Sequence, residues 1–138
     1  METLNKFNII TRCSRTKNLL KIKESIFRND SNIIWWIIFD TTILKDIDAE
    51  LLSELQSDKI KLFFKKSSLN DYGHSFINDT IDIISDGWIY VIDDDNILHE
   101  DFILTINKLI LDNPDKKAFI FNQKVDGRDF TKLDVRLA

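Results

Sequence analysis

The densest chemistry in the chain is Asp93-Asp94-Asp95-Asn96, three carboxylates and an amide set directly behind the apolar run Trp88-Ile89-Tyr90-Val91-Ile92. Such a run reads as a buried strand, and in open α/β sheets ligands bind outside the carboxyl ends of the strands. Alternation along an extended chain turns Asp93 and Asp95 to the same side. Two carboxylates converging beside a buried strand make a hard oxygen site for Mn²⁺ or Mg²⁺. The bland use of the same residues is a solvated turn in which one Asp caps the next helix.

Other reactive positions fall at strand ends. Thr11, Arg12, Ser14 and Arg15 follow the apolar stretch Phe7 to Ile10, and Asp40 ends Ile33 to Phe39. Arginines and a helix N-terminus suit phosphate oxygens, and Asp40 suits the donors of a base or ribose. Each has a plain structural alternative: Ser14 as an N-cap, Arg15 in a surface ion pair, Asp40 in a turn. Together, three strand ends with complementary chemistry favour a nucleotide pocket. His74 and His99 read as loop or helix-start residues, Cys13 as a small buried residue, and Trp35, Trp36 and Trp88 as core.

The elements that must position these groups alternate. Strands are expected at Phe7–Ile10, Ile33–Phe39, Ile60–Phe64, Trp88–Ile92 and Ala118–Phe121. Helices are expected at about 16–27, 46–56, 74–85 and 100–111. Their apolar stripes are Leu19, Leu20, Lys23 and Ile26 in the first, Leu51, Leu52 and Leu55 in the second, and Ile77, Ile81 and Ile84 in the third. The fold class is therefore α/β, a mainly parallel sheet of about five strands with helices on both faces. The polar stretch from Lys124 to Ala138, with Asp126-Gly127 as a turn and Leu133, Val135 and Leu137 alternating, ends without a finishing element. It reads as the start of a further region, so the chain reads as the first part of a larger fold. Residues 1–123 form the expected ligand-binding domain and 124–138 a tail or acceptor-side beginning.

Composition narrows the class. The 138 residues are 43% hydrophobic and 30% charged, with 3 Gly and 1 Pro, which excludes linker-like and collagen-like sequence. One Cys permits no internal disulfide and implies a reducing compartment. The longest apolar run is too short to span a membrane, and no signal-like pattern opens the chain, so a cytoplasmic location is expected. The net charge of -4 conceals segregation. Residues 1–28 hold seven Lys or Arg against Glu2 and Glu24, whereas residues 71–101 hold nine carboxylates and no Lys or Arg. Asp79, Asp82 and Asp86 read as a solvated helix face. A basic segment beside a carboxylate cluster suits an anionic ligand that brings a metal, such as a diphosphate. Nucleic acid fits poorly, because no basic stripe interleaved with aromatics is recognised.

The order of these segments resembles the GT-A fold glycosyltransferases, in their glucuronyltransferase-like and family-two-like branches. The likeness rests on the turn after strand one, Trp-Ile-Ile-Phe-Asp closing strand two, and Trp-Ile-Tyr-Val-Ile-Asp-Asp-Asp-Asn closing strand four, and it covers residues 7–123. It implies a DxD motif that holds Mn²⁺ or Mg²⁺ against the diphosphate of a nucleotide sugar, with a UDP-sugar favoured. Asp95 would be the direct metal ligand, and Asp93 and Asp94 would contact ribose, base-side groups or the metal. Asp40 would face the base, while Thr11, Arg12 and Arg15 would lie along the nucleotide. Gly73 to Asn78 resembles a Gly…Arg-Asn stretch near the donor; Asn78 fits, but Ile77 stands where that stretch has Arg. No late carboxylate among Asp126, Asp129 and Asp134 sits in a recognisable base motif, so the catalytic base and the acceptor stay unassigned.

The expected function is that of a metal-dependent glycosyltransferase, or its donor-binding half. One alternative is a catalytically inactive sugar-nucleotide-binding module. A second, a Mg²⁺-dependent receiver-like phosphotransfer domain, wants acids after the first strand, where Thr11-Arg12 stands. An unfinished sheet edge would also permit a homo-oligomer.

Overall fold

A computed structural model describes residues 5–29, 32–66 and 74–118, together with the backbone of 124–125 and 128–129. The elements run β1 (Phe7–Cys13), α1 (Leu19–Phe27), β2 (Ile33–Asp40), α2 (Ala49–Glu54), β3 (Ile60–Lys65), α3 (His74–Ile83), β4 (Trp88–Val91) and α4 (Phe102–Asp112). Two short strands, β5 (Lys124–Val125) and β6 (Arg128–Asp129), follow. The chain divides into two compact units, Met1–Ile103 and Leu104–Ala138.

The first unit is built on four strands in the order β3-β2-β1-β4, every neighbouring pair parallel. That is an α/β architecture of the Rossmann-like kind. The expected fifth strand at 118–121 lies outside the described residues, except for Ala118, which is not in a strand. In the second unit β5 pairs antiparallel with β6, on either side of Asp126-Gly127. Leu133, Val135 and Leu137 lie outside the described residues.

The strand order explains how the faces are covered. Chain growth from β1 to β2 to β3 moves one way across the sheet, and the step from β3 to β4 jumps back past β1. Right-handed crossovers then place α1 and α2 on one face and α3 on the other. Ile9, Trp35 and Ile37 are fully buried on one side of β1 and β2, and Ile10 and Ile38 on the other. On the α3 side Ile10, Ile38 and Phe76 form a core cluster against which Trp36, Phe63, Ile77 and Ile84 pack. Trp36 and Phe63 stack with ring centroids 6.0 Å apart.

The helix faces differ from the expected stripes. On α1 the buried residues are Leu19, Ile22, Ser25 and Ile26, while Leu20 is exposed. On α3 Phe76 and Thr80 are buried and Ile81 is exposed. Each segment carries two overlapping apolar stripes, and the sheet selects the one that meets it. The second helix is shorter than expected because Asp48 caps it, accepting the Glu50 N–H at 3.0 Å.

Candidate functional site

Parallel pairing brings the carboxyl ends of β1, β2 and β4 to one edge of the sheet. The order reverses between β1 and β4, because the connection after β1 leads to β2 on one side and β4 lies on the other. In open α/β sheets that reversal opens the crevice where ligands bind. The turn Ser14-Arg15 and the turn Asp93–Asn96 meet there. The second turn is closed by the Asn96 N–H donating to the Asp93 carbonyl at 3.3 Å.

Asp94 links the two turns. It is 4% exposed, whereas Asp93 and Asp95 on either side are exposed. Its Oδ2 accepts the backbone N–H of Ser14 at 2.9 Å, that of Arg15 at 2.9 Å and the Ser14 hydroxyl at 3.2 Å. Its Oδ1 accepts Arg15 Nε at 3.3 Å and Nη2 at 2.8 Å. The same Nη2 lies 3.1 Å from Asp95 Oδ2. Burial by itself would raise the Asp94 carboxyl, but the Arg15 guanidinium and the Ser14 and Arg15 amides outweigh it and hold the group below the ordinary carboxylate range. The Asp94 carboxylate, with a smaller share from Asp95, in turn raises Arg15.

The polypeptide beyond Asp95 is fastened to α1. The Leu98 N–H donates to Ser25 Oγ at 2.9 Å, and Arg28 Nη2 donates to the Leu98 carbonyl at 3.0 Å. Asn29 Oδ1 accepts the Ile103 N–H at 3.2 Å. His99 Nδ1 accepts the Asp101 N–H at 3.1 Å, a helix-start role. These bonds hold the acidic turn from behind. Nothing in the apolar periodicity signalled the contribution of Ser25, Arg28 and Asn29.

At the end of β2, Asp40 is 1% exposed and forms an ion pair with Arg12 Nη2 at 2.7 Å. Its other oxygen accepts the Thr42 N–H at 3.0 Å. Arg12 Nε is buried without a hydrogen-bond partner. The pair was legible only as two separate ligand contacts; the parallel register makes the residues neighbours. Thr11 is fully buried, and its hydroxyl accepts the Trp35 indole N–H at 2.9 Å, so the side chain is turned into the core. Asn78 is exposed on α3, next to Asp79, which pairs with Lys65 at 3.7 Å. Ile77 packs against the core. Asp79 and Asp82 are exposed.

β4 ends at Val91, and residues 93–96 form a turn, so Arg15 ties Asp94 to Asp95 while Asp93 stands outside that network. Among the described residues, no three His, Cys, Asp or Glu side chains gather as a ready metal site. Asp93 and Asp95 could still hold Mg²⁺ or Mn²⁺, because such ions keep several waters and bind through one or two carboxylates plus substrate phosphates.

Two depressions lie elsewhere. One of about 280 Å³ sits at the amino edge between Lys6, Asn8, Trp36, Lys61 and Asp86. The other, about 540 Å³ and open, lies between α1 and Glu54. Neither gathers the strand-end groups described above. No described helix is long and apolar enough to cross a membrane. The chain matches no protein-family profile and no curated protein.

Proposed function

We propose that the chain is the donor-binding part of a metal-dependent glycosyltransferase of GT-A type. The observation that carries this reading is the meeting of Arg15, Asp94 and Asp95 at the switch between β1 and β4. The Arg12–Asp40 pair lies one strand away on the same edge. A nucleoside diphosphate needs cations for its phosphates and hydrogen-bonding groups for its base and sugar, and this edge carries both.

In this reading Asp95 and Asp93 would hold the ion beside the phosphates. Bound Mn²⁺ or Mg²⁺ supplies neutralisation of the charge that develops on the departing diphosphate. Arg15 adds a second, fixed cation, and Arg12 and Asp40 border the base side. A UDP-sugar is the favoured donor, and the acceptor hydroxyl requires a base outside this edge.

One observation favours the second reading, a sugar-nucleotide-binding module without transfer. Ile77 is engaged in the core and supplies no cation where the resembling stretch has Arg.

Calorimetric titration of UDP with and without Mn²⁺, repeated on Asp95→Ala, tests the site. Metal-dependent binding that disappears in the variant is expected. If neither UDP nor GDP binds under any metal condition, the donor-site assignment fails. If UDP binds but UDP-sugars are neither hydrolysed nor transferred, the module reading replaces the enzyme.

A further inference from the structure

We propose that Asp94 is a positioning residue that acts on an anionic ligand only through Arg15 and does not itself touch the ligand. The inference rests on the reading that a nucleoside diphosphate binds at this edge, and it departs from the expectation that Asp94 contacts ribose, base-side groups or metal.

The first argument is saturation. An ionised carboxylate offers about four lone-pair sites. Asp94 already receives the Ser14 amide, the Arg15 amide, the Ser14 hydroxyl, Arg15 Nε and Arg15 Nη2. At 4% exposure it has neither an acceptor site nor an open face left for a ribose hydroxyl or an ion. Asp95 is the contrasting case. Its side chain is 48% exposed and it shares a single Nη2 with Asp94, so it keeps acceptor capacity toward solvent.

The second argument concerns what Asp94 holds. By taking both amides of the Ser14-Arg15 turn, it removes those N–H groups from any role in cradling a phosphate. It also sets where the turn lies. The contact with an anion therefore falls on the Arg15 side chain. A guanidinium has five N–H donors in a rigid fork. Nε and Nη2 are committed to carboxylates, whereas Nη1 has no partner among the described residues, and the side chain is 53% exposed. A long side chain normally surrenders rotamer freedom when a ligand orders it. Here Asp94 orders Arg15 beforehand, leaving two donors facing outward. Removing the carboxylate charge would release the guanidinium and return that cost to the binding step.

A double-mutant cycle on UDP affinity, in the presence of Mg²⁺, separates positioning from contact. Asp94→Asn and Arg15→Lys are each expected to weaken UDP roughly tenfold, and the double variant no more than about tenfold, because residues acting through one contact do not add. A purely structural loss would lower thermal stability without that coupling, so each variant's unfolding temperature is measured alongside. Additive losses of roughly a hundredfold would make Asp94 an independent contact and overturn the proposal. An unchanged affinity in Asp94→Asn beside a weakened Arg15→Lys would overturn it too. Carboxylate and guanidinium resonances of the wild-type protein give a reading that needs no variant to fold. UDP with Mg²⁺ should move Arg15 Nε and the Asp95 carboxylate and leave the Asp94 carboxylate in place, and a direct shift at Asp94 alone would refute the role. If the wild type binds no UDP at all, this proposal and the donor-site reading fall together.

Discussion

Cys13 and Asp94 flank one turn, and their surroundings tune them in opposite directions. Burial pushes the Cys13 thiol up to about 12, reinforced by the negative charge of Asp94; the thiol donates to the Arg15 carbonyl at 3.2 Å. Asp94 is also buried, but the Arg15 guanidinium and two amides favour its charged form. The thiol should therefore resist alkylation. Iodoacetamide at pH 8, read by intact mass, is expected to leave the folded chain unmodified and to label it fully in denaturant, where an ordinary thiol value near ~8.5 returns. Rapid labelling of the folded chain would contradict the buried placement. Three adjacent Asp residues show where a sequence stops informing at this scale. Composition marks Asp93, Asp94 and Asp95 as a cluster, and strand alternation sets one apart from its two neighbours. Which one becomes the anchor depends on a turn 80 residues earlier docking its amides and guanidinium onto it. That partnership is tertiary and carries no local signature.

Among the elements, β1 to β4 were legible because their sequences allow little else, whereas the short β5 and β6 were not. Ile33 to Phe39 is unbroken, β-branched and aromatic, and it forms the central β2 with Phe39 and Ile38 fully buried. The helices were legible in existence but not in orientation, as Leu20 and Ile81 show. An amphipathic period fixes a stripe only when a single stripe is present. The entry into β4 depends on a device that the sequence marked only as a glycine. Gly87 has φ of +97°, and a Cβ there would come within 2.8 Å of Asn8 Nδ2 and of the Lys6 carbonyl. Asn8, 1% exposed, donates through Nδ2 to the Asp86 carbonyl at 2.9 Å and the Trp88 carbonyl at 3.3 Å. Its Oδ1 accepts the Trp36 indole at 3.1 Å. The turn thus wraps so closely around one buried amide that β4 starts in register with β1. Gly87→Ala meets both the conformational penalty and the contact, and is expected to cost about 2 kcal/mol or more of stability. Thermal unfolding monitored by circular dichroism checks this, and an unfolding temperature equal to wild type would show that the turn relaxes freely.

For the whole molecule, the buried Asp94 carboxylate ties stability to pH. Its folded value lies below the ordinary carboxyl value of about 3.9, so the native state holds its proton less tightly than the unfolded chain does. The stabilisation it provides is therefore fully present above about pH 3.9 and is lost as pH falls from there through the folded value. A difference between two proteins isolates this contribution from the rest of the chain. At neutral pH Asp94→Asn should unfold at a lower temperature than wild type, because Arg15 loses its buried counter-charge and the turn amides lose a charged acceptor. As pH is lowered from 6 toward 2.5, the gap between the two unfolding temperatures should stay level to about pH 4 and then close. Asp95→Ala serves as the control; its side chain is half exposed and makes the longer contact to Arg15, so its gap from wild type should be small throughout. A gap for Asp94→Asn that persists undiminished at pH 2.5 would mean that the anchoring depends on side-chain shape and not on the charge of Asp94. The electrostatic account of the junction between β1 and β4 would then fail for the whole unit.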